Sequence, residues 1–335
     1  MNFLTAKISL CVCSAMVVAL LSGCEPVPEG HESQGFSILV PKRAPESLTA
    51  TETYGALVVR EGEFETEALK RPWSGYWYPA DETDLFESKV PKKLSPLQKY
   101  DALAKKQFSR ETHAAEYEKK RHNPAATAPW AGLCDAWSAA SVLEPEPRTA
   151  KVIDGVSFGI ADQKALLIKT YENAEGKRIY GNRNDGDRKS IYDDIYPDQF
   201  HRLLQAELFD RRRPIIMDRD PRPPVWNTPV WGVKTRVFAS SESPHVMRVE
   251  TTVYVTLSND SALDEVKPVN THFDYTYDLY GYAQKNGDFK VIFGDWTGKS
   301  ADFHPDFATV LDEPTIQKSR NPEIDPEIVN FIVGS

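Results

Sequence analysis

The chain has 335 residues, 41% of them hydrophobic and 11% aromatic, enough for a sizeable core in one large domain or two smaller ones, which excludes disorder along most of its length. Lysine and arginine number 40 against 49 acids, and the net charge of −9 lacks the basic footprint a nucleic-acid partner needs, so none is expected. Twenty-four prolines against 18 glycines describe a loop-rich soluble protein rather than a repeat, a fibre or a membrane bundle.

In chain order, the first feature is an address. Lys7 precedes the apolar run ISLCVCSAMVVALL from Ile8 to Leu21, shorter than the roughly 20 residues that cross a bilayer, and Ser22, Gly23 and Cys24 follow. Leu21-Ser22-Gly23-Cys24 is similar to a bacterial lipobox. Residues 1–23 are therefore expected to be a signal peptide and Cys24 the lipidated N-terminus. That predicts a protein anchored in the bacterial cell envelope, at the inner or outer membrane. A Pro, Glu, Gly and Ser-rich stretch over 24–47 reads as a flexible tether. The main domain is expected over 48–320, with a C-terminal tail over 321–335.

The segment PWSGYWYP (72–79) is too aromatic and proline-broken for a regular element and reads as a packed loop. Ser95 as N-cap and Pro96 at the first helical position start one or two helices over 96–121. A helix is expected from Cys134 to near Leu143, and another over Asp162 to Tyr171. The stretch from Asp198 to Arg211 mixes helical composition with a possible strand after His201, and IIM before Asp218 reads as a short buried strand. From Val246 the sequence alternates apolar and polar residues, with Asn286-Gly287 as a hairpin signal, so the C-terminal half is antiparallel sheet and the class α+β. The run Asn184-Asp185-Gly186-Asp187 lacks calcium-loop spacing and reads as a turn, and neither metal nor cofactor is expected.

Four cysteines are present, Cys11, Cys13, Cys24 and Cys134. Two leave with the signal and one takes lipid, so Cys134 is the single free thiol expected in the mature protein. Such a leftover is a reactive thiol or an ordinary buried one. Its place at a helix N-terminus favours the thiolate. A thiol nucleophile in acyl transfer needs a histidine to move its proton and a third group to hold the imidazole. His31, His113 and His122 lie in expected tether or helix surface, which leaves His201, His245, His272 and His304. His201 and Asp218 would stand side by side if the histidine began one strand and the acid ended the next.

Six ordered segments carry a resemblance: PWSGYWYP (72–79), LSPLQKYD (94–101), WAGLCDAWSAAS (130–141), PDQFHRLL (197–204), VWNTPVWGVK (225–234) and FGDWTGKSADFHPDF (293–307). Together they resemble the transglutaminase elicitor family, over roughly 70 to 310. The resemblance implies a papain-like, transglutaminase-like cysteine core. In it Cys134 attacks a glutamine side-chain amide, ammonia leaves, and an amine resolves the thioester, with no cofactor. It assigns Cys134 as nucleophile, His201 as general base and Asp218 as the orienting acid, with Trp130, Trp226 and Asn227 against the substrate. His304, in the closely matching HPDF segment, is the rival base. Asp135 stands where the family commonly has His, and Thr228 replaces the Gln of V-W-N-Q-P-V. The implied partners are a protein or peptide glutamine donor, an amine acceptor and, through Cys24, a membrane. The same residues also suit a cysteine amidase or peptidase acting on cell-surface peptides, and the aromatic loops suit an inactive surface-binding lipoprotein.

Overall fold

Alternation in the C-terminal half builds the dominant element of the fold. In a computed structural model, which describes Cys24–Pro26, 39–41, 49–128, 130–182, 194–222 and 224–334, the chain divides into two units, Met1–Ala44 and Pro45–Ser335. In the first, β1 (Cys24–Pro26) pairs antiparallel with β2 (Leu39–Pro41). Residues 1–23, expected as signal peptide, and most of the expected tether lie outside the described residues, as does the run 184–187. Among the described residues no helix is long and apolar enough to cross a membrane.

The second unit is a nine-stranded antiparallel sheet with helices. Its strands are β3 (Val58–Val59), β4 (Gly62–Glu67), β7 (Glu175–Gly181), β8 (Ile215–Asp218), β9 (Asn227–Ala239), β10 (Val246–Thr256), β11 (Asn270–Ala283), β12 (Phe289–Trp296) and β13 (Phe307–Ile316). The order is β3-β12-β11-β10-β9-β8-β13-β7, and β4 pairs with the free half of β9. A separate hairpin joins β5 (Lys151–Ile153) and β6 (Val156–Phe158). Val249 and Val253 of β10 lie opposite Val237 and Val233 of β9, and opposite Tyr277 and Phe273 of β11. Such same-face pairs hold an antiparallel sheet in register. The expected hairpin forms at Gly287, whose φ of 87° only glycine adopts readily.

The helices are α1 (Thr49–Tyr54), α2 (Pro96–Phe108), α3 (Ala114–Arg121), α4 (Cys134–Leu143), α5 (Ile160–Thr170), α6 (Pro197–Leu204) and α7 (Pro326–Val333). Ser95 caps α2 with a full capping box, its hydroxyl accepting from the Gln98 N–H while the Gln98 side chain accepts from the Ser95 N–H. The stretch 321–335 expected as a tail carries α7 instead. Asp325 caps α7, whose Ile328, Val329 and Ile332 are buried in the core, each contributing about 1.5–3 kcal/mol.

Two apolar cores form, and the sheet separates them. Ile216 and Leu311 pack with α2, α4, α5 and α7. Their strand neighbours Ile215, Met217 and Val310 pack with Phe200, Leu203 and Leu204 of α6. Successive strand residues point to opposite faces, so α4 and α6 lie on opposite faces of the sheet.

Candidate active site

Cys134 owes its position to the aromatic loop before it. The Leu133 N–H donates to Trp77 O at 2.7 Å, and Pro79 bridges Gly132, pinning the chain just before α4 begins. A Cβ on Gly132 would lie 2.4 Å from the Trp77 ring, so glycine is required for this close approach. Beyond Cys134 the residues Ala136, Ser138, Ala139, Ala140 and Ser141 are all buried, their small size letting α4 sit close to its neighbours. The Ser138 hydroxyl donates to Asn227 O at 2.9 Å, tying α4 to the start of β9.

That contact brings the end of β9 to the sulfur. The Asn227 side-chain N–H donates to Cys134 Sγ at 3.6 Å, and the thiol faces Val225 O at 3.7 Å. Asp218 is the ladder partner of Asn227. It lies two residues beyond Ile216 on β8 and therefore on the Cys134 face. It is fully buried, and its Oδ1 accepts the Trp226 N–H at 2.9 Å while Oδ2 has no partner. Burial raises its carboxyl to about 7, with Asp220 adding to the rise and two backbone N–H donors opposing it.

The sulfur opens on a cleft of about 460 Å³, walled by Trp130, Lys177, Ile179, Phe307 and Thr309 among others. Lys177 and Ile179 alternate with the buried Tyr180 on β7, which aims them at this face. No sequence motif marked them; only the strand period could have. Burial pushes the Cys134 thiol above its ordinary value, and the Asp135 and Asp218 carboxylates push the same way against the Asn227 contacts. Burial lowers the Lys177 ammonium, with Asp135 opposing. Trp226 stands edge-on to Trp77, ring centres 5.5 Å apart, beside the strand start that carries Asn227.

Of the expected catalytic residues, the structure brings Cys134 and Asp218 to one face, with the expected substrate-binding Asn227, and leaves His201 on the other. His201 sits in α6 rather than at the start of a strand, and α6 packs on the other side of the sheet. Its Nδ1 lies 2.7 Å from the Tyr277 hydroxyl, and burial lowers its pKa to about 4. His304 is also committed elsewhere. Its Nδ1–H donates to Ser300 O at 2.8 Å, its Nε2 lies 3.0 Å from Asp194 Oδ2, and the ring stacks on Trp296. The HPDF segment reaches the cleft through Phe307 instead. Among the described residues no histidine lines the Cys134 cleft.

A sequence profile of the family described as Transglutaminase elicitor matches residues 104–247, which contain Cys134, His201, Asp218 and Asn227. No curated protein matches the chain. The fold is similar to that of the GP42 transglutaminase from Phytophthora sojae, with a TM-score of 0.64 at 17% identity, covering 87% of this chain and 97% of that one. The profile match over residues 104–247 makes the chain similar to the transglutaminase elicitor family there, and its fold is shared with the GP42 transglutaminase.

Proposed function

We propose that the chain is a thiol acyltransferase of the transglutaminase type, anchored to the bacterial envelope through a lipid on Cys24. The observation that carries this reading is Cys134 at the first turn of α4, facing an open cleft with its sulfur held by Asn227. In the reaction the sulfur bonds to the δ-carbon of a glutamine side chain, and ammonia leaves with the proton the thiol gave up. A primary amine then attacks the thioester, the carbon–sulfur bond breaks, and the amine's proton returns to the sulfur.

Each proton needs an acceptor on the Cys134 face. Asp218 suits the role, because a carboxylate whose conjugate acid titrates near 7 is about as basic as an imidazole. Asn227 and the free N–H groups of the α4 N-terminus stabilise negative charge on sulfur or on the tetrahedral oxygen. Trp130 and the aromatic loop shield the thioester from water.

A second reading, an inactive surface-binding lipoprotein, draws on the absence of a histidine at the cleft among the described residues. One assay separates the two: incorporation of a fluorescent primary amine into glutamine-bearing casein, using the chain from residue 25 and its Cys134→Ala variant. Incorporation lost in the variant is the expected result. No incorporation by a folded wild-type protein, at any amine concentration, favours the inactive reading.

A further inference from the structure

On the α6 face, away from Cys134, lies a cavity of about 350 Å³ with walls from Val58, Val59, Phe64, Phe209 and Val237. His201 and Thr235 also line it. The volume and largely apolar lining are those of small-molecule sites, which use a few placed polar groups to fix orientation. His201 is only 6% exposed. Its Nδ1 is engaged by Tyr277, whereas among the described residues its Nε2 meets no hydrogen-bonding group, and the residue lines the cavity.

The direction of the hydrogen bonds behind the ring fixes what Nε2 offers. Thr235, Thr251, Tyr277 and His201 form a continuous chain, with separations of 3.2, 2.9 and 2.7 Å. A phenol is a stronger acid than an alcohol and neutral imidazole nitrogen a good acceptor, so the Tyr277 hydroxyl donates to Nδ1 and Thr251 donates to the phenol oxygen. The remaining ring proton then sits on Nε2, on a side chain that lines the cavity. Arg60 and Asp288, also on the wall, pair with each other; Gln205 and Asp210 complete the polar lining, so among the described residues no free cation awaits a carboxylate there.

We propose that this cavity binds an uncharged, mainly apolar molecule bearing one acceptor oxygen, which receives the Nε2–H of His201. The site is independent of the acyltransferase reading, since the sheet lies between it and Cys134.

The test uses acetophenone, with ethylbenzene as the oxygen-free analogue and benzoate as the charged one. Binding to the full mature chain is followed by ligand saturation-transfer NMR and by the 15N resonance of His201 Nε2. Acetophenone should shift that resonance and bind at least tenfold tighter than ethylbenzene or benzoate. His201→Phe should abolish the preference for the ketone, and Phe64→Ala, at a half-exposed wall position, should weaken both neutral ligands severalfold. Cys134→Ala should bind acetophenone as the wild type does. Equal binding of ketone and hydrocarbon, an unmoved Nε2 resonance, or no binding at millimolar acetophenone would overturn the proposal. These decisive readouts are made on wild-type protein, so they hold even if His201→Phe fails to fold.

Discussion

At Cys134 the local fields oppose each other. The first turn of a helix favours a thiolate, yet burial and the carboxylates of Asp135 and Asp218 raise the thiol above its ordinary range. The resting group is therefore a protonated thiol at neutral pH, which activates only when a neighbour takes its proton. Asp218 also bears on stability. Its folded value of about 7 lies above the roughly 3.9 of an unfolded aspartate, so the folded state holds an extra proton between those limits. Stability accordingly falls as pH rises through that window, and the full cost is present above pH 7. Asp218→Asn keeps an acceptor for the Trp226 N–H and removes the buried charge. It should raise the unfolding free energy at pH 8 by about 2 kcal/mol and have little effect near pH 4, as measured by urea denaturation. The same variant should lose amine incorporation, a trade of function for stability. Equal stability of variant and wild type at pH 8 would show that the carboxylate carries no such burden.

At the scale of elements, the site depends on how closely the aromatic loop lies against the start of α4. Gly132→Ala places a methyl group inside the Trp77 ring, and relief requires moving the loop or the helix. A loss of about 1–3 kcal/mol is expected, together with altered alkylation of Cys134, measured by thermal unfolding and mass spectrometry. Elements with strong local signals were legible in the sequence. The Ser95-Pro96 start marks α2, small residues after Cys134 mark α4, and alternation with Asn286-Gly287 marks the C-terminal hairpins. The C-terminal helix also carries its start signals, Asp325 and Pro326, but the stretch 321–335 reads as a tail because the burial of this short helix depends on distant partners. His201 was legible as part of a family segment and misplaced in space. Pro197 and Asp198 start a helix there, and the face on which that helix packs follows from tertiary contacts that no local pattern encodes. The wall residues Lys177, Phe307 and Thr309 come from strands far apart in sequence, joined only by the pairing of β7 with β13.

Across the whole molecule the sheet is a partition. One face carries the thiol, Asn227 and Asp218; the other carries His201, its hydroxyl chain and a separate cavity. A fold shared with the GP42 transglutaminase at 17% identity shows how much of the fold rests on strand alternation and core volume rather than on particular side chains. With the sheet between them, the proton chemistry proposed for Cys134 belongs to its own face and excludes His201. The most direct test is the rate of Cys134 alkylation by iodoacetamide across pH 6–10, in the wild type, His201→Phe and Asp218→Asn, each first shown to unfold cooperatively. The wild-type rate should still be climbing above pH 9, the His201→Phe profile should superimpose on it, and the Asp218→Asn profile should move to lower pH. A His201→Phe profile displaced from the wild type, with Asp218→Asn unmoved, would contradict that division of roles.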